Sequence, residues 1–417
     1  MKNCLLIVAM SILSFLSSGS NAQSIKNAGD LFRAGRFIEA EKEYTAVLEK
    51  EPENLKSLVY LGYITLLENR LDESEQWLLK ARTIQPKLPP VNEFLSEIYY
   101  RRDDFQKSAP FYRAMGKEAM AMKLECFREL TPYRTDNAFD EIKVDFIVTD
   151  PLPVVRVTIN EKHAGYFFID TGGGELILDE EYAKKVQAET FGYEASSFAA
   201  NKKAPFGHGK ISSVTLGDQT IKNIPVMTLD LNQLELGGIK IDGAIGTVFL
   251  YHFLSTIDYK NNQLILRNRL KFNSETIIQP GTSTKVIPFT MAGDHFMFTR
   301  GTINNSDTML FFVDTGLAGY AFTGPKLTLK KAGINYEKDK KTRGLGGGGY
   351  FNTYPVHVDR ICINNLCIEN LHGQYGPFPS QIERSFGFDV DGLVSHEFFR
   401  KHSLTIDFVE MKYLISD

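Results

Sequence analysis

The chain of 417 residues is 43% hydrophobic and 24% charged, enough apolar material for a large core and far from the composition of a disordered chain. A formal net charge of -4, from 47 Lys and Arg against 51 Asp and Glu, gives no electrostatic case for a nucleic acid or a membrane surface as partner. Four cysteines are too few for a disulfide-built scaffold and their spacing makes no zinc pattern, while at ~100–200 residues per domain two or three domains are expected.

Residues 1–22 read as a secretory signal peptide: Lys2 is the basic start, residues 5–16 form the short apolar core, and Ser20-Asn21-Ala22 supplies small residues for cleavage. That apolar run is shorter than the ~20 residues a spanning helix needs, and no later segment reads as transmembrane. The expectation is an exported chain, periplasmic or extracellular, without an integral membrane segment after signal removal.

Residues 23–130 carry a period of 34. Small residues recur at Ala28, Gly62 and Ser96 and again at Ala40, Ser74 and Ser108, with large ones following at Tyr44, Leu78 and Tyr112. Between the two small sets lie turn-like stretches beginning at Gly35, Asn69 and Asp103, and Pro52 and Pro86 close the first two units. Small residues where paired helices cross, large ones in the next layer and proline at each end resemble the tetratricopeptide repeat over about residues 21–122. The alternative is three amphipathic helix pairs of no particular family. The resemblance implies an all-α solenoid whose groove docks a peptide or protein. Met120 stands where a third proline would fall, so the array either ends there or runs into a helix through Cys126. Residues 131–140, with Pro132, read as a linker.

Residues 141–417 contain a longer duplication. Thr158-Ile159-Asn160 and then Phe167-Phe168-Ile169-Asp170-Thr171-Gly172 return 144 residues later as Thr302-Ile303-Asn304 and Phe311-Phe312-Val313-Asp314-Thr315-Gly316. Asp242-Gly243-Ala244-Ile245-Gly246 and Thr256-Ile257-Asp258 return at an offset of 149 as Asp391-Gly392-Leu393-Val394-Ser395 and Thr405-Ile406-Asp407. Loop insertions between matched strands produce that drift. Two homologous β-rich halves follow, 141–275 and 276–417. Short β-branched and aromatic runs bounded by polar turns mark the strands. Matched hairpins turn at Gly217-Asp218 and Asn364-Asn365, a register that puts Thr215 opposite Thr220 and Cys362 opposite Cys367. A non-hydrogen-bonded pair places Cα atoms ~4.5 Å apart, at the short end of the disulfide range, so a Cys362–Cys367 disulfide is predicted, with two unbridged thiols as the alternative.

Two Asp-Thr-Gly motifs, each after an apolar strand and each followed some 75 residues on by Asp-Gly and two apolar residues, resemble the pepsin and retropepsin clan of aspartic peptidases. The resemblance spans both halves and implies a mainly-β bilobal acid-protease fold behind the helical solenoid. It implies that Asp170 and Asp314 are the catalytic pair, that Thr171 and Thr315 cross-link the lobes, that Gly172 and Gly316 permit the tight turns, and that neither metal nor cofactor is needed. Two carboxylates ~3 Å apart at an effective dielectric of ~20 repel by about 5 kcal/mol, so one proton is shared between them. The charged oxygen can then act as base towards water while the protonated partner donates to a substrate carbonyl. Two departures stand out: Gly173 and Leu317 follow the motifs where Ser, Thr or Ala is usual, and Ser395 replaces the family's glycine behind the second motif. Gly346, Gly347, Gly348 and Gly349 are the main flap candidates, with Gly207-His208-Gly209 a weaker one; the alternative for the glycine run is a surface loop.

Other chemistries are weaker. No His-x-x-x-His occurs, Ser395 is not in a nucleophile elbow, and no phosphate-binding Gly-Lys-Ser/Thr follows the glycine run. The leading expectation is an exported aspartic endopeptidase acting on peptides or proteins, with the repeats docking substrate or partner. The rivals are a peptide-binding pseudo-peptidase, suggested by Leu317 and Ser395, and a scaffold in which the repeats carry the function.

Overall fold

A computed structural model describes residues 19–135, 139–198, 202–278, 283–293, 295–376 and 380–417. Most of the expected signal peptide lies outside the described residues; residues 19–22 begin the first helix. The chain folds as two compact units. One comprises the chain up to Arg128 together with Ser380–Val390, the other Glu129–Pro379 together with Asp391–Asp417. Among the described residues no helix is long and apolar enough to cross a membrane.

The first unit is helical: α1 (Gly19–Arg33), α2 (Phe37–Lys50), α3 (Leu55–Leu67), α4 (Leu71–Ile84), α5 (Pro89–Arg101), α6 (Phe105–Ala114) and α7 (Glu118–Glu125). The 34-residue period has a physical counterpart at each level. Gly35, Asn69 and Asp103 all take left-handed backbone, φ 67°, 57° and 58°, the conformation that glycine, asparagine and aspartate adopt at least cost. Each ends the first helix of a pair and reverses the chain into the second. Where α3 crosses α4, a methyl on Gly62 would sit 2.6 Å from Leu78 Cγ, so only glycine lets the helices close. Ser74 Oγ donates to the Gly62 carbonyl (2.6 Å), and one period later Ser108 Oγ donates to the Ser96 carbonyl (2.7 Å). Pro52 and Pro86 lie between successive pairs, whereas Met120 is buried within α7, so the chain continues into a further helix that Cys126 caps. A later helix, Ser380–Phe386, also belongs to this unit.

The second unit is mainly β, and its two halves share one wiring. In the first, the strand carrying Asp170 (His163–Asp170) lies between Val154–Ile159, antiparallel, and Gly243–Gly246, parallel. In the second, Met309–Asp314 lies between Phe296–Ile303, antiparallel, and Gly392–Ser395, parallel. Each belongs to an eight-stranded sheet among the described residues, and each sheet makes an additional pairing between non-neighbours, of the strand Lys202–Leu216 with Gln219–Leu229 and of Phe296–Ile303 with Gly349–Ile363. A six-stranded sheet joins the halves, with Leu254–Asp258 and Ser403–Asp407 side by side at its middle and Thr256 opposite Thr405. The hairpin registers follow the sequence: Thr215 faces Thr220, and Cys362 faces Cys367 in a disulfide with Cα atoms 4.1 Å apart.

Within the expected linker, two residues form a short strand. Arg134–Thr135 pairs with the edge of the first-half sheet at Lys222 and Ile221, and the Tyr133 ring stacks on His252 at 3.5 Å. Residues 136–138 lie outside the described residues.

Candidate active site

Each Asp-Thr-Gly ends a strand whose apolar residues fill the core, so the polar triplet emerges where the strand stops. The turn is held locally: the Gly172 N–H donates to Asp170 Oδ1 (2.9 Å), and the Gly316 N–H donates to Asp314 Oδ1 (2.9 Å). The threonines, both fully buried, bind the two halves to each other. Thr171 Oγ1 donates to the Val313 carbonyl (3.0 Å) and accepts from the Thr315 N–H (3.0 Å). Reciprocally, Thr315 Oγ1 donates to the Ile169 carbonyl (3.2 Å) and accepts from the Thr171 N–H (3.0 Å). Every hydroxyl and both amides are satisfied, which a hydroxyl-free residue at either site would undo.

This lattice forces the aspartates together. A methyl on Gly172 would sit 2.4 Å from Asp314 Cγ, and one on Gly316 would sit 2.2 Å from Asp170 Oδ1. Each glycine thus makes room for the opposite half's carboxyl, a requirement distinct from the turn itself. Both aspartates keep an intermediate exposure, so solvent reaches them, yet protein crowds the carboxyls closely. Desolvation is the largest influence on each and raises both pKa values. Asp314 is pushed further up, well above the ordinary carboxylate range, because the Asp170 charge and the hydrogen bond it shares with Asp170 add to desolvation. For Asp170 that same bond and the amides of Gly172 and Gly173 work the other way. The pair therefore keeps a proton above the ordinary carboxylate range and titrates as a unit.

Behind the aspartates the halves differ. Gly246 lies opposite Asp170 in the parallel register, and a methyl there would meet the Gly174 and Glu175 carbonyls at 2.2 Å. Ser395, the equivalent beside Asp314, has room for its side chain and uses it: Oγ donates to the Tyr320 carbonyl and accepts from the Glu397 N–H (3.1 Å). One residue on, Thr247 Oγ1 donates to the Thr171 carbonyl (2.9 Å), while His396, fully buried, places Nδ1 2.9 Å from the Leu317 carbonyl. A carbonyl only accepts, so Nδ1 carries the proton. Both loops are thus tied from beneath by different chemistry. His396 escaped the sequence reading as an ordinary core histidine; its alignment with Thr247 at the 149-residue offset was the available signal.

The glycine run caps a hairpin. Gly346 ends the strand Thr342–Gly346 and Gly349, at φ 93°, opens Gly349–Ile363, leaving Gly347 and Gly348 at the tip. Methyls on these two would strike the Phe198 ring (2.5 Å) and Lys202 Cβ (2.5 Å), at the ends of the first-half strands Glu189–Phe198 and Lys202–Leu216. The tip of that first-half hairpin, 199–201, lies outside the described residues. Gly207-His208-Gly209, by contrast, sits in mid-strand and not at a tip. Its glycines serve close packing, since methyls there would meet Thr228 Oγ1 at 2.3 Å and the Glu189 carbonyl at 2.9 Å. The alternation of glycine with a buried histidine imitated a loop because strand and loop glycines look alike without register.

Residues 155–249 match a family model described as aspartyl protease, of the retropepsin-like kind. The matched stretch holds Asp170-Thr171-Gly172 and the supporting strand Gly243–Gly246. No curated protein matches the chain.

Proposed function

We propose that this chain is an exported aspartic endopeptidase in which Asp170 and Asp314 activate water for peptide-bond hydrolysis, and in which tetratricopeptide-like repeats over residues 23–130 dock substrate or a partner protein. The observation that carries it is the mutual arrangement of the two carboxyls: each half's glycine is seated against the other half's aspartate, and the pair shares a hydrogen bond. A fold needs no such juxtaposition of two acids, which costs desolvation and repulsion; a water-activating site does. The protease family match over the first motif points the same way.

In the reaction, Asp170 as carboxylate takes a proton from a water whose oxygen attacks the scissile carbonyl carbon, while Asp314 gives its proton to the carbonyl oxygen. The resulting tetrahedral diol returns a proton to the amide nitrogen as the C–N bond breaks, and the pair ends with the single proton it began with. An apolar cluster that includes Ile177, with Phe198 and Ala318 packed against it, suits apolar residues of a peptide. Residues 1–22 are the export signal in this reading, which places the mature protein in the periplasm or outside the cell.

A peptide library incubated with the wild type, Asp170→Asn and Asp314→Asn tests this. Cleavage by the wild type, with a loss of at least about 10³-fold in kcat for either variant and little change in peptide affinity, is expected, since each acid acts in the transition state. Cleavage unchanged in both variants would remove the dyad. Peptide binding without cleavage by the wild type at any pH would establish the pseudo-peptidase instead.

A further inference from the structure

The two halves tie their Asp-Thr-Gly turns from beneath through different atoms. In the first half the Gly173 carbonyl, just past the motif, accepts the backbone N–H of Thr247 (2.9 Å), and the Gly174 carbonyl accepts that of Val248 (2.9 Å). Offsets of 144 and 149 residues make Leu317 the counterpart of Gly173, and His396-Glu397 the counterpart of Thr247-Val248. The Leu317 carbonyl, just past the second motif, faces the side chain of His396 instead, 2.9 Å from Nδ1. Where the first half uses main chain, the second uses a side chain, and the chemistry changes from neutral to ionisable.

His396 is fully buried, so its ring nitrogens draw their partners from protein. Nδ1 donates to a carbonyl, which only accepts. Nε2 lies 3.3 Å from Glu397 Oε1, and Glu397 is itself fixed by its N–H donating to Ser395 Oγ (3.1 Å). Two acceptors at that distance repel, whereas an N–H on Nε2 meets the carboxylate as an ion pair. The ring therefore fits its seat best with both nitrogens protonated. The His396 contact is the largest influence on Glu397 and holds its carboxyl below the usual carboxylate range. Arg400 Nη1 donates to the same Oε1 (2.8 Å), and Arg400 Nη2 donates to Asp150 of the first half (2.6 Å). The Tyr259 ring lies 6.1 Å from the imidazole between centroids; burial and then the Glu397 charge raise the pKa of its hydroxyl, so it adds no charge there.

We propose that His396 is a positioning residue for the reaction: its ring holds the Leu317 carbonyl while Glu397 holds the ring, so the turn carrying Asp314 is placed by an ion pair where the turn carrying Asp170 is placed by backbone. The inference rests on the peptidase reading above. The series Leu317, His396, Glu397, Arg400 and Asp150 begins beneath the second motif and ends on the first half. Loss of the Nε2 proton changes the contact with Glu397 from attraction to repulsion. That loosens the hold on Leu317 and leaves the Asp170 turn untouched.

Full-length wild type, His396→Asn, His396→Gln and Glu397→Gln are compared in library cleavage, with kcat taken per folded molecule. His396→Asn carries an amide N–H near the place of Nδ1 and keeps a donor for the Leu317 carbonyl; His396→Gln reaches towards Glu397 and leaves that carbonyl. His396→Asn is therefore expected to hold kcat within about threefold of wild type and His396→Gln to lose about tenfold or more, with KM within about twofold in both. Amide exchange of residues 315–320 should quicken by about tenfold in His396→Gln and stay near wild type in His396→Asn. The amide of Glu397→Gln meets Nε2 with its oxygen or its nitrogen, whichever the ring's protonation requires. The ratio of its kcat to that of wild type should therefore rise by about threefold from about pH 5 to 8, the range in which imidazole changes charge. The carboxyl pair is common to both proteins and drops out of that ratio, which carries the test if both changes at the buried ring prevent folding. Equal kcat in His396→Asn and His396→Gln, a change in KM alone, or a ratio flat with pH would overturn the proposal. Absence of cleavage by the wild type overturns the peptidase reading instead, and amide exchange then still shows whether the ring holds the turn.

Discussion

The Asp314 carboxyl is one of a pair that holds a proton the unfolded chain would release, and this makes stability depend on pH in a fixed direction. Its pKa in the folded protein is raised, first by desolvation and then by the Asp170 charge, whereas an unfolded Asp titrates near ~3.9. Below about pH 4 both states are protonated and the group contributes no difference; above it the folded state binds more protons, so stability falls as pH rises towards the raised pKa. Asp314→Asn removes the titration while keeping an oxygen to accept from the Gly316 N–H. The variant should melt with the wild type in acid and above it near neutrality, by about 2–4 °C for each kcal/mol relieved, in melting curves taken across pH. A difference that does not change with pH would contradict the raised pKa. Asp170, Thr171, Asp314 and Thr315 were legible in the sequence because duplication turns a common triplet into a constellation. The crowding that raises both pKa values was not, because it arises from packing that the motifs do not encode.

Single elements show how one half tolerates what the other forbids. The strand Gly243–Gly246 ends against the Gly174 and Glu175 carbonyls with no space for a methyl, while Gly392–Ser395 ends at a serine whose hydroxyl bridges Tyr320 and Glu397. Where serine stands in place of glycine at Ser395, hydrogen bonding takes the place of steric fit. Ser395→Ala leaves the partly buried Tyr320 carbonyl short of a donor and should cost about 1–3 kcal/mol. Gly246→Ala forces backbone apart beside Asp170, so it should destabilise more and depress kcat more than Ser395→Ala does; denaturation and steady-state kinetics of the two variants give the ranking, and the reverse order would refute the account. Register was the readable property at this scale. The hairpins at Gly217 and Asn364 could be placed because their side chains alternate, and the Thr215–Thr220 and Cys362–Cys367 pairs follow from that alternation. Gly207 and Gly209 could not, since a glycine excluded by a neighbouring strand and a glycine freeing a loop leave the same letter in the sequence.

Across the whole chain, the helical-then-β order and the doubled β half were legible from periods of 34 and of about 144 residues, because each repeat must bury the same positions. What the offsets left hidden is where the added residues go: the drift from 144 to 149 shows that loops differ but not that 380–390 joins the helices. The same duplication places Thr256 and Thr405, from Thr-Ile-Asp in each half, opposite each other in the six-stranded sheet with hydroxyls 2.7 Å apart and both nearly fully buried. Arg267 also donates to Thr256 Oγ1 (3.0 Å), so the pair is not symmetric in its supports. Thr256→Val strands two groups, the Thr405 hydroxyl and an Arg267 N–H, while Thr405→Val strands only the proton of Thr256. The first substitution should therefore cost more, each within about 1–3 kcal/mol. Removing both hydroxyls leaves a β-branched pair that packs well between central strands, so the double variant should lose less than the two singles together, by about 0.5–3 kcal/mol. The sole tryptophan, Trp77, lies in α4 and reports the helical unit, so the β unit is followed by hydrogen exchange of Leu254–Asp258 and Ser403–Asp407. Strictly additive losses would mean that the two threonines do not act as one bond between the halves, and that the junction is held by the backbone ladder alone.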